Sequence, residues 1–531
     1  MRPAKPLEES EVQRAARLHA VPPRPIVPNR GRRKLLLVGG LIGVVVLVLA
    51  VVVLAWKWPF TPDHVRTDLQ QGSGTKVAFQ NFKQTFFPPG CVLEHVTFRS
   101  DAVPNGPPVL TADRITIATS YARLLAHDIG TIRAEGAHVV LPPLGKGQKL
   151  FQQSSNSHST KIGRLIADAS VFEVTSATPG ASPFRLQIRK LTVHDLGSSQ
   201  GMSFQIDALV PQPAGEVIAN AHLGRWNSDK PEMTELSGTY QFRHAKLGGF
   251  HAIAGTLASD GRFQGPVKNL NVRGSTDVPD FEVTRTHHKI HLTTEFDAVV
   301  DATAGDVVLR SIKAHSDRTT VTGNGKIAGV AGKKGKTASL DLFVRDGRIE
   351  DVLFLFVRGE QSPLDGQTSF EAKVTIPPGN RKFVDKVILD GNFAINSGRF
   401  TNSQTQGKVN QLTAQARGVK NPTPSDSEAV TTDWTGHVLL QDGIAHFSEL
   451  RIRAPGAGVK LHGTYGLEKQ NVNLHGMLYM QATLSQATSG IKSILLKPLE
   501  PFLKKNRHGG AKFPVGITGT YSHPSYHTDP M

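Results

Sequence analysis

In "HKIHLTTEFDAVVD" (residues 288–301) every second residue is apolar or small. Ile290, Leu292, Thr294, Phe296, Ala298 and Val300 fall on one side, and His291, Thr293, Glu295, Asp297 and Asp301 on the other. A period of two marks a strand with one dry and one wet face, because successive side chains leave a β-strand on opposite sides. The same period groups Ala338, Leu340, Leu342 and Val344 in "ASLDLFVRDG", and Val472, Leu474, Leu478, Met480, Ala482 and Leu484 in "VNLHGMLYMQATL". Gly, Asn and Asp separate such runs at short intervals, as in "SDGRF", "LDGN" and "QDGIAHF", which is the signal for antiparallel hairpins. The pattern predicts a β-meander through most of residues 160–480, and the 51 glycines and 33 prolines of the chain suit its turns.

One segment has no alternation at all. Leu35 to Trp56, "LLLVGGLIGVVVLVLAVVVLAW", is 22 residues without a charge, long enough for a helix to cross a hydrocarbon core. Leu35, Val44, Val51 and Trp56 mark its length, and Trp58 follows it where an outer aromatic belt would stand. Nine lysines and arginines precede the run and only Lys57 follows closely, so the positive-inside rule keeps the N-terminus cytoplasmic. The run is too long for a signal peptide, and "LAWKWPF" is no cleavage site. The expectation is a single-pass membrane protein whose bulk lies outside the cytoplasm.

Net charge is +17 with a pI near 9.8, which calls for an anionic neighbour. The basic residues are spread along the chain, and no aromatic-interleaved basic motif of the base-stacking kind occurs, so nucleic acid is not expected. An anionic lipid or envelope polymer fits better. The single cysteine, Cys91, forms no intramolecular disulfide and reads as a small buried hydrophobe.

Catalytic motifs are missing: there is no phosphate loop, nucleophile elbow or paired zinc-ligand motif, and the reading is a protein that is not an enzyme and carries no cofactor. "HHKIH" puts His287 and His291 on one strand face without the further ligands zinc requires. Asp277 and Asp280 in "STDVPDFEV" read as turn residues rather than a carboxylate pair. Helical signals are brief: Ser120–Asp128 with Ser120 as cap, "GRIEDVLFLFVRG", and an amphipathic stretch from Ile491 to Leu503. The phrases "SGTYQF", "AGTLAS", "HGTYGL" and "TGTYSH" read as loose echoes at strand starts.

"FFPPGCVLEHVTFRS" followed by "PVLTADRITIATSYARLLAHDIGTIRAEGAHVVLPP" resembles the N-terminal region of the AsmA family of envelope proteins, the AsmA/TamB-like group. The stretch from "AHFSELRIRAPGAGVKLHGTYG" to "LKPLEPFLKK" and the closing "GAKFPVGITGTYSHPSY" are similar to that family's C-terminal domain. The resemblance implies an inner-membrane anchor followed by an elongated, curved antiparallel β-groove that carries phospholipid between the inner and outer membranes in support of outer-membrane homeostasis. On that reading the chain divides into a basic tail (1–34), a transmembrane helix (35–56), an N-terminal β-α-β region (59–145), the groove (160–420) and a C-terminal β region with the amphipathic segment (430–531). Roughly thirty strands at about 4.8 Å would extend on the order of 140 Å.

The lining would be Ile290, Leu292, Phe296, Leu340, Leu342, Val472, Leu474, Leu478 and Met480. Periodicity alone leaves a closed sandwich or barrel core open as the alternative. A scaffold or chaperone for outer-membrane protein assembly, with envelope proteins as partners, is the second functional reading.

Topology is testable by fusion: alkaline phosphatase joined after Trp58 should be active in intact cells, and the same enzyme joined before Leu35 inactive. The reverse pattern would invert the orientation.

Overall fold

The computed structural model describes residues 58–100, 107–126, 128–141, 162–175, 183–196, 198, 200–227, 229–250, 253–284, 286–330, 335–357, 360–379, 381–417, 430–481, 512–520 and 523–527. The basic tail, the apolar run with Leu35, Val44, Val51 and Trp56, residues Ala482 and Leu484, and the amphipathic stretch 491–503 lie outside them. Among the described residues no helix is long and apolar enough to cross a membrane.

The chain forms two units, Met1–Val65 and Arg66–Met531. In the first, Trp58 and Phe60 are both buried and meet edge to face at 5.9 Å. Helix α1 (Pro62–Ser73) follows, at the start of the stretch expected to be a β-α-β region. Proline at its first position and Asp63 in its first turn favour the helical start, and the Val65 amide donates to the Thr61 carbonyl at 3.0 Å.

The second unit is one mixed sheet of 26 strands. β1 (Thr75–Ala78) and β2 (Asn81–Phe86) lie end to end along β3 (Pro89–Ser100), which pairs on its other side with β4 (Leu110–Ala118). β5 (Ile129–Glu135) and β6 (His138–Leu141) share the next lane and run parallel to β7 (Ile162–Val174). This pairing departs from the expected all-antiparallel sheet; parallel neighbours need a long crossover rather than a tight hairpin, and residues 142–161 separate β6 from β7 in sequence.

From β7 onward every pairing is antiparallel and follows chain order. The succession is β8 (Phe184–Leu196), β9 (Met202–Pro211), β10 (Ala214–Leu223) and β11 (Glu235–Lys246), then a lane shared by β12 (Ile253–Ala254) and β13 (Thr256–Pro266). β14 (Leu270–Val283), β15 (Lys289–Asp301), β16 (Asp306–Ser316), β17 (Thr319–Gly329) and β18 (Lys336–Arg348) come next. β19 (Leu364–Ile376), β20 (Ile388–Phe400), β21 (Thr432–Gln441) and β22 (Ile444–Ala454) continue the series. It ends with β23 (Ala457–Gly466), β24 (Asn471–Met480), β25 (Lys512–Thr520) and β26 (His523–His527).

With three lanes each shared by two strands, the 26 strands occupy 23 lanes. At about 4.8 Å per step the contour is about 105 Å, shorter than the thirty-strand expectation. β26 pairs only with β25, and β1 and β2 only with β3, so among the described residues the sheet is not closed into a barrel.

Short helices interrupt the ribbon. α2 (Tyr121–Leu125) forms where Ser120 was expected to cap it, and the Ser120 hydroxyl accepts from the Arg123 amide at 3.3 Å. α3 (Ile349–Leu353) occupies "GRIEDVLFLFVRG". α4 (Phe383–Lys386) and the 14-residue α5 (Ser403–Ala416) were not foreseen, since the latter sits in a region assigned to sheet. Its sequence is mostly polar, so no apolar stripe announced it; Asn402 caps it by accepting from the Thr405 amide at 3.0 Å.

Two further local readings change. "STDVPDFEV" is part of β14 rather than a turn. The register steps from Val278 opposite Leu292 to Phe281 opposite Ile290, and Pro279 sits in the resulting bulge, where its missing N–H costs no ladder bond. Of the Gly-Thr echoes only Gly255–Thr256 lies at a strand start; Gly238 is inside β11, Gly463 inside β23 and Gly519 near the end of β25.

Packing is tightest in the first lanes, where Cys91 and Leu93 are fully buried beside Val96, Ile115 and Ile117. Burial pushes the Cys91 thiol up to about 12, so almost no thiolate exists at neutral pH. Ellman's reagent at pH 8 should leave the folded protein unmodified and react once guanidinium unfolds it. Leu93→Ala should cost about 2–5 kcal/mol in urea unfolding, the range for a fully buried leucine.

Candidate functional site: a continuous apolar sheet face

Residues directly opposite on paired strands project from the same face, so the register allows one face to be followed across the sheet. From Phe296 on β15 the row runs to Ile312, Gly323, Leu342, Ala372, Gly391, Val438, Phe447, Gly463, Leu474, Ile517 and Tyr526 on the successive lanes to β26. Towards the other end it passes Gly274, Gly261, Tyr240, Ala219, Ile206, Leu191, Ala167, Ala134, Ile115 and Leu93 to Phe82 on β2. Every lane contributes one residue, and none of them is charged.

All nine candidate lining residues stand on this face. Phe296, Leu342 and Leu474 belong to the row itself. Leu340 and Val472 lie one row towards one set of strand ends, where Leu340 faces Val374 and Val472 faces Tyr465. Ile290, Leu292, Leu478 and Met480 lie towards the opposite ends, facing Phe281, Val278, Val459 and Ala457. Ile290 and Met480 are buried, and the other seven are half-buried. Sequence reasoning missed Ile312, Val374, Leu389, Leu440 and Phe447, which share the face; Ile312 and Phe447 stand beside bulges and Gly391 is the next residue after Leu389 on that face.

The bulges keep the face uniform. Between β15 and β16 the register steps from Asp297 opposite Ser311 to Ala298 opposite Leu309, leaving Arg310 as an extra residue on the wet side. Without that insertion every later side chain of β16 would change face. Similar steps occur at Phe242/Ala245, Val344/Gly347 and Phe447/Leu450.

Glycine makes room for rings on the same face. A Cβ on Gly261 would stand 2.5 Å from the Tyr240 ring, and one on Gly274 would stand 3.0 Å from both the Phe296 ring and the Tyr240 hydroxyl. The aromatic side chains therefore lie flat across neighbouring lanes, covering backbone that glycine leaves bare.

The opposite face is charged and mostly self-neutralising. Arg273 meets Asp297 at 2.7 Å, Arg189 meets Asp207 at 2.8 Å, and Arg243 meets Asp260 at 2.6 Å. His291 pairs with Asp277 at 2.6 Å, whereas His287 lies outside the strand with a positive φ of 60° and faces Glu282 at 3.2 Å, so the two histidines do not share a site. Asp280 accepts from the Thr256 amide at 2.7 Å, a structural role at the β14 bulge. Among the described residues no group of three or more His, Cys, Asp or Glu side chains is arranged to hold a metal ion.

Among the described residues two helical segments reach the apolar face: α5, whose Lys408 ammonium lies 5.7 Å from the centre of the Tyr526 ring, and the segment that begins with α3. Val352 and Leu355, on and just after α3, line a recess of about 80 Å³ with Phe281, Ile290, Leu292, Ala314 and Val321. Leu355 and Phe356 line another with Val283, Val384 and Leu467, residues far apart in the chain. The segment is tied down by two buried acids: Glu350 accepts from Arg318 at 2.8 Å and from Arg348 at 2.9 Å, and Asp351 accepts from the Thr319 hydroxyl at 2.8 Å. The sequence announced the helix but not that it would be laid over the face.

Lys336 donates to Asp306 at 2.8 Å and holds its carboxyl below the ordinary range; Arg185 does the same for Glu173. A depressed folded pKa contributes stability above the unfolded value, near 4, that is lost as pH falls through the folded value. Urea midpoints should therefore decline below about pH 4, and Asp306→Asn should flatten part of that decline while lowering stability at pH 7 only slightly, as expected of an exposed pair.

Among the described residues, the fold is mainly β, one large sheet with an apolar and a charged face. No family model, no curated protein and no solved structure matches the chain.

Proposed function

We propose that this protein is a non-enzymatic conduit for phospholipid acyl chains, anchored in the inner membrane by residues 35–56 with its bulk in the periplasm, and related to the AsmA family. The observation that carries the reading is the uncharged row from Phe82 to Tyr526, one residue per lane. Such a face offers an acyl chain about 0.8 kcal/mol per methylene removed from water, at similar values along its length, so a lipid can shift from lane to lane without a deep trap. The charged reverse face keeps the ribbon hydrated. The elongated, curved groove and transfer towards the outer membrane belong to the same proposal.

A photo-crosslinking amino acid at Leu342 or Leu478 in the full chain should yield phospholipid adducts in intact cells. One at Glu371, whose strand neighbours place it on the charged face opposite Phe343, should not. Leu292→Asp or Leu478→Asp should reduce lipid flux roughly tenfold or more, the factor that corresponds to 1.4 kcal/mol, while the chain remains folded. Equal flux in those variants would overturn the conduit.

The outer edge of β26, which has no further strand among the described residues, favours the scaffold reading, because an exposed edge can add a strand from a client protein. Adducts with outer-membrane proteins at β26, without lipid at Leu342, would select it.

A further inference from the structure

The largest exposed apolar side chains in the first lanes are gathered at one tip. Phe87 is 88 % exposed, Leu125 85 %, Phe86 50 % and Tyr121 38 %. They come from two separate segments, the β2–β3 turn and α2. The Phe87 and Tyr121 rings meet edge to face at 5.9 Å, and the Tyr121 hydroxyl donates to the Phe86 carbonyl at 2.8 Å. Leu125 lies four residues after Tyr121 on α2 and so falls on the same helix face. Two different elements are thus fastened together to present an apolar surface to the outside, which isolated exposed residues do not do.

Charge around the tip selects among possible occupants. Residues 82–93 and 119–126 contain no Asp or Glu, whereas Lys83 and Arg123 are both present and exposed. Aromatic and aliphatic groups on segments whose only charges are basic, with Asp128 the first acid beyond α2, suit the boundary between acyl chains and anionic headgroups. The tip also follows the 22-residue apolar run by only about thirty residues of chain, so a bilayer is within reach of it.

We propose that Phe86, Phe87, Tyr121 and Leu125 form a membrane-docking tip that inserts into the interface of an anionic phospholipid bilayer and seats the first lanes of the sheet against it. This contact is separate from passage of lipid along the apolar face and stands or falls independently of it. Each of the two most exposed side chains would be withdrawn from water, while Lys83 and Arg123 would meet headgroup phosphates.

The test uses the full chain reconstituted into vesicles of phosphatidylethanolamine and phosphatidylglycerol. Single cysteines are introduced as Phe87→Cys, Leu125→Cys or, as a control on the charged face, Ser311→Cys, and labelled with a nitrobenzoxadiazole dye; native Cys91 is fully buried and does not compete. The dye at positions 87 and 125 should shift to the blue, be quenched by nitroxide-bearing lipid and be protected from aqueous iodide, with none of these changes at 311. Equal iodide quenching at all three positions would overturn the proposal. So would protection at 87 and 125 without quenching by nitroxide lipid, since that would assign the tip to a protein contact. Both labelled positions are more than four-fifths exposed, so the substitutions leave the core intact. Because the readout does not involve transport, a failed docking tip and a failed conduit give different results.

Discussion

Cross-strand register governs the rest of this structure. A strand shifted by one residue sends every side chain to the other face, so a sheet of 23 lanes has one apolar side only if each register is correct. The chain secures this in two ways. Most strands meet their successors through short turns that leave little choice of pairing, and bulges such as the one at Arg310 absorb an extra residue without carrying the change into the next lane. The cost of an error is asymmetric: a charged side chain on the apolar face loses its water without gaining a partner, whereas an apolar side chain on the charged face loses little.

What covers the apolar face is modest compared with its extent. The strong pairings between elements join neighbouring lanes, and the short helices add only local cover. Around α3 the cover is held by acids that would be costly to bury alone; Arg318, Arg348 and Thr319 compensate them, so the polar anchor at the sheet rim permits Val352, Leu355 and Phe356 to rest on the dry face. Elsewhere burial on this face is mixed: Val374, Leu440 and Ala445 are buried together, and Leu340, Leu342, Leu389 and Phe447 pack against them half-buried.

The wet face solves a different problem. Its arginines and carboxylates alternate across lanes so that Asp297 serves both Arg273 and Arg310, and Arg189 serves both Asp207 and Glu216. Exposed pairs of this kind contribute little stability individually. Their larger effect is to keep that side hydrated and to penalise any slipped register that would place like charges opposite one another.

By itself the sequence determined the secondary-structure class and which residues share a face within a strand, Ile290 with Leu292 and Phe296, Leu340 with Leu342, and Val472 with Leu474, Leu478 and Met480, because a period of two is local and needs no knowledge of partners. It also announced the Ser120 cap and the burial of Cys91. It did not disclose α5, whose polar surface carries no stripe, or the bulge at Pro279, which looks like a turn when read along one strand. Only the tertiary structure decided that separate apolar runs join into one uninterrupted row, that β26 has no further strand among the described residues, and that Phe86, Phe87, Tyr121 and Leu125 converge. Those facts depend on which residue stands opposite which, a relation set by pairing across the sheet and invisible in the order of residues along the chain.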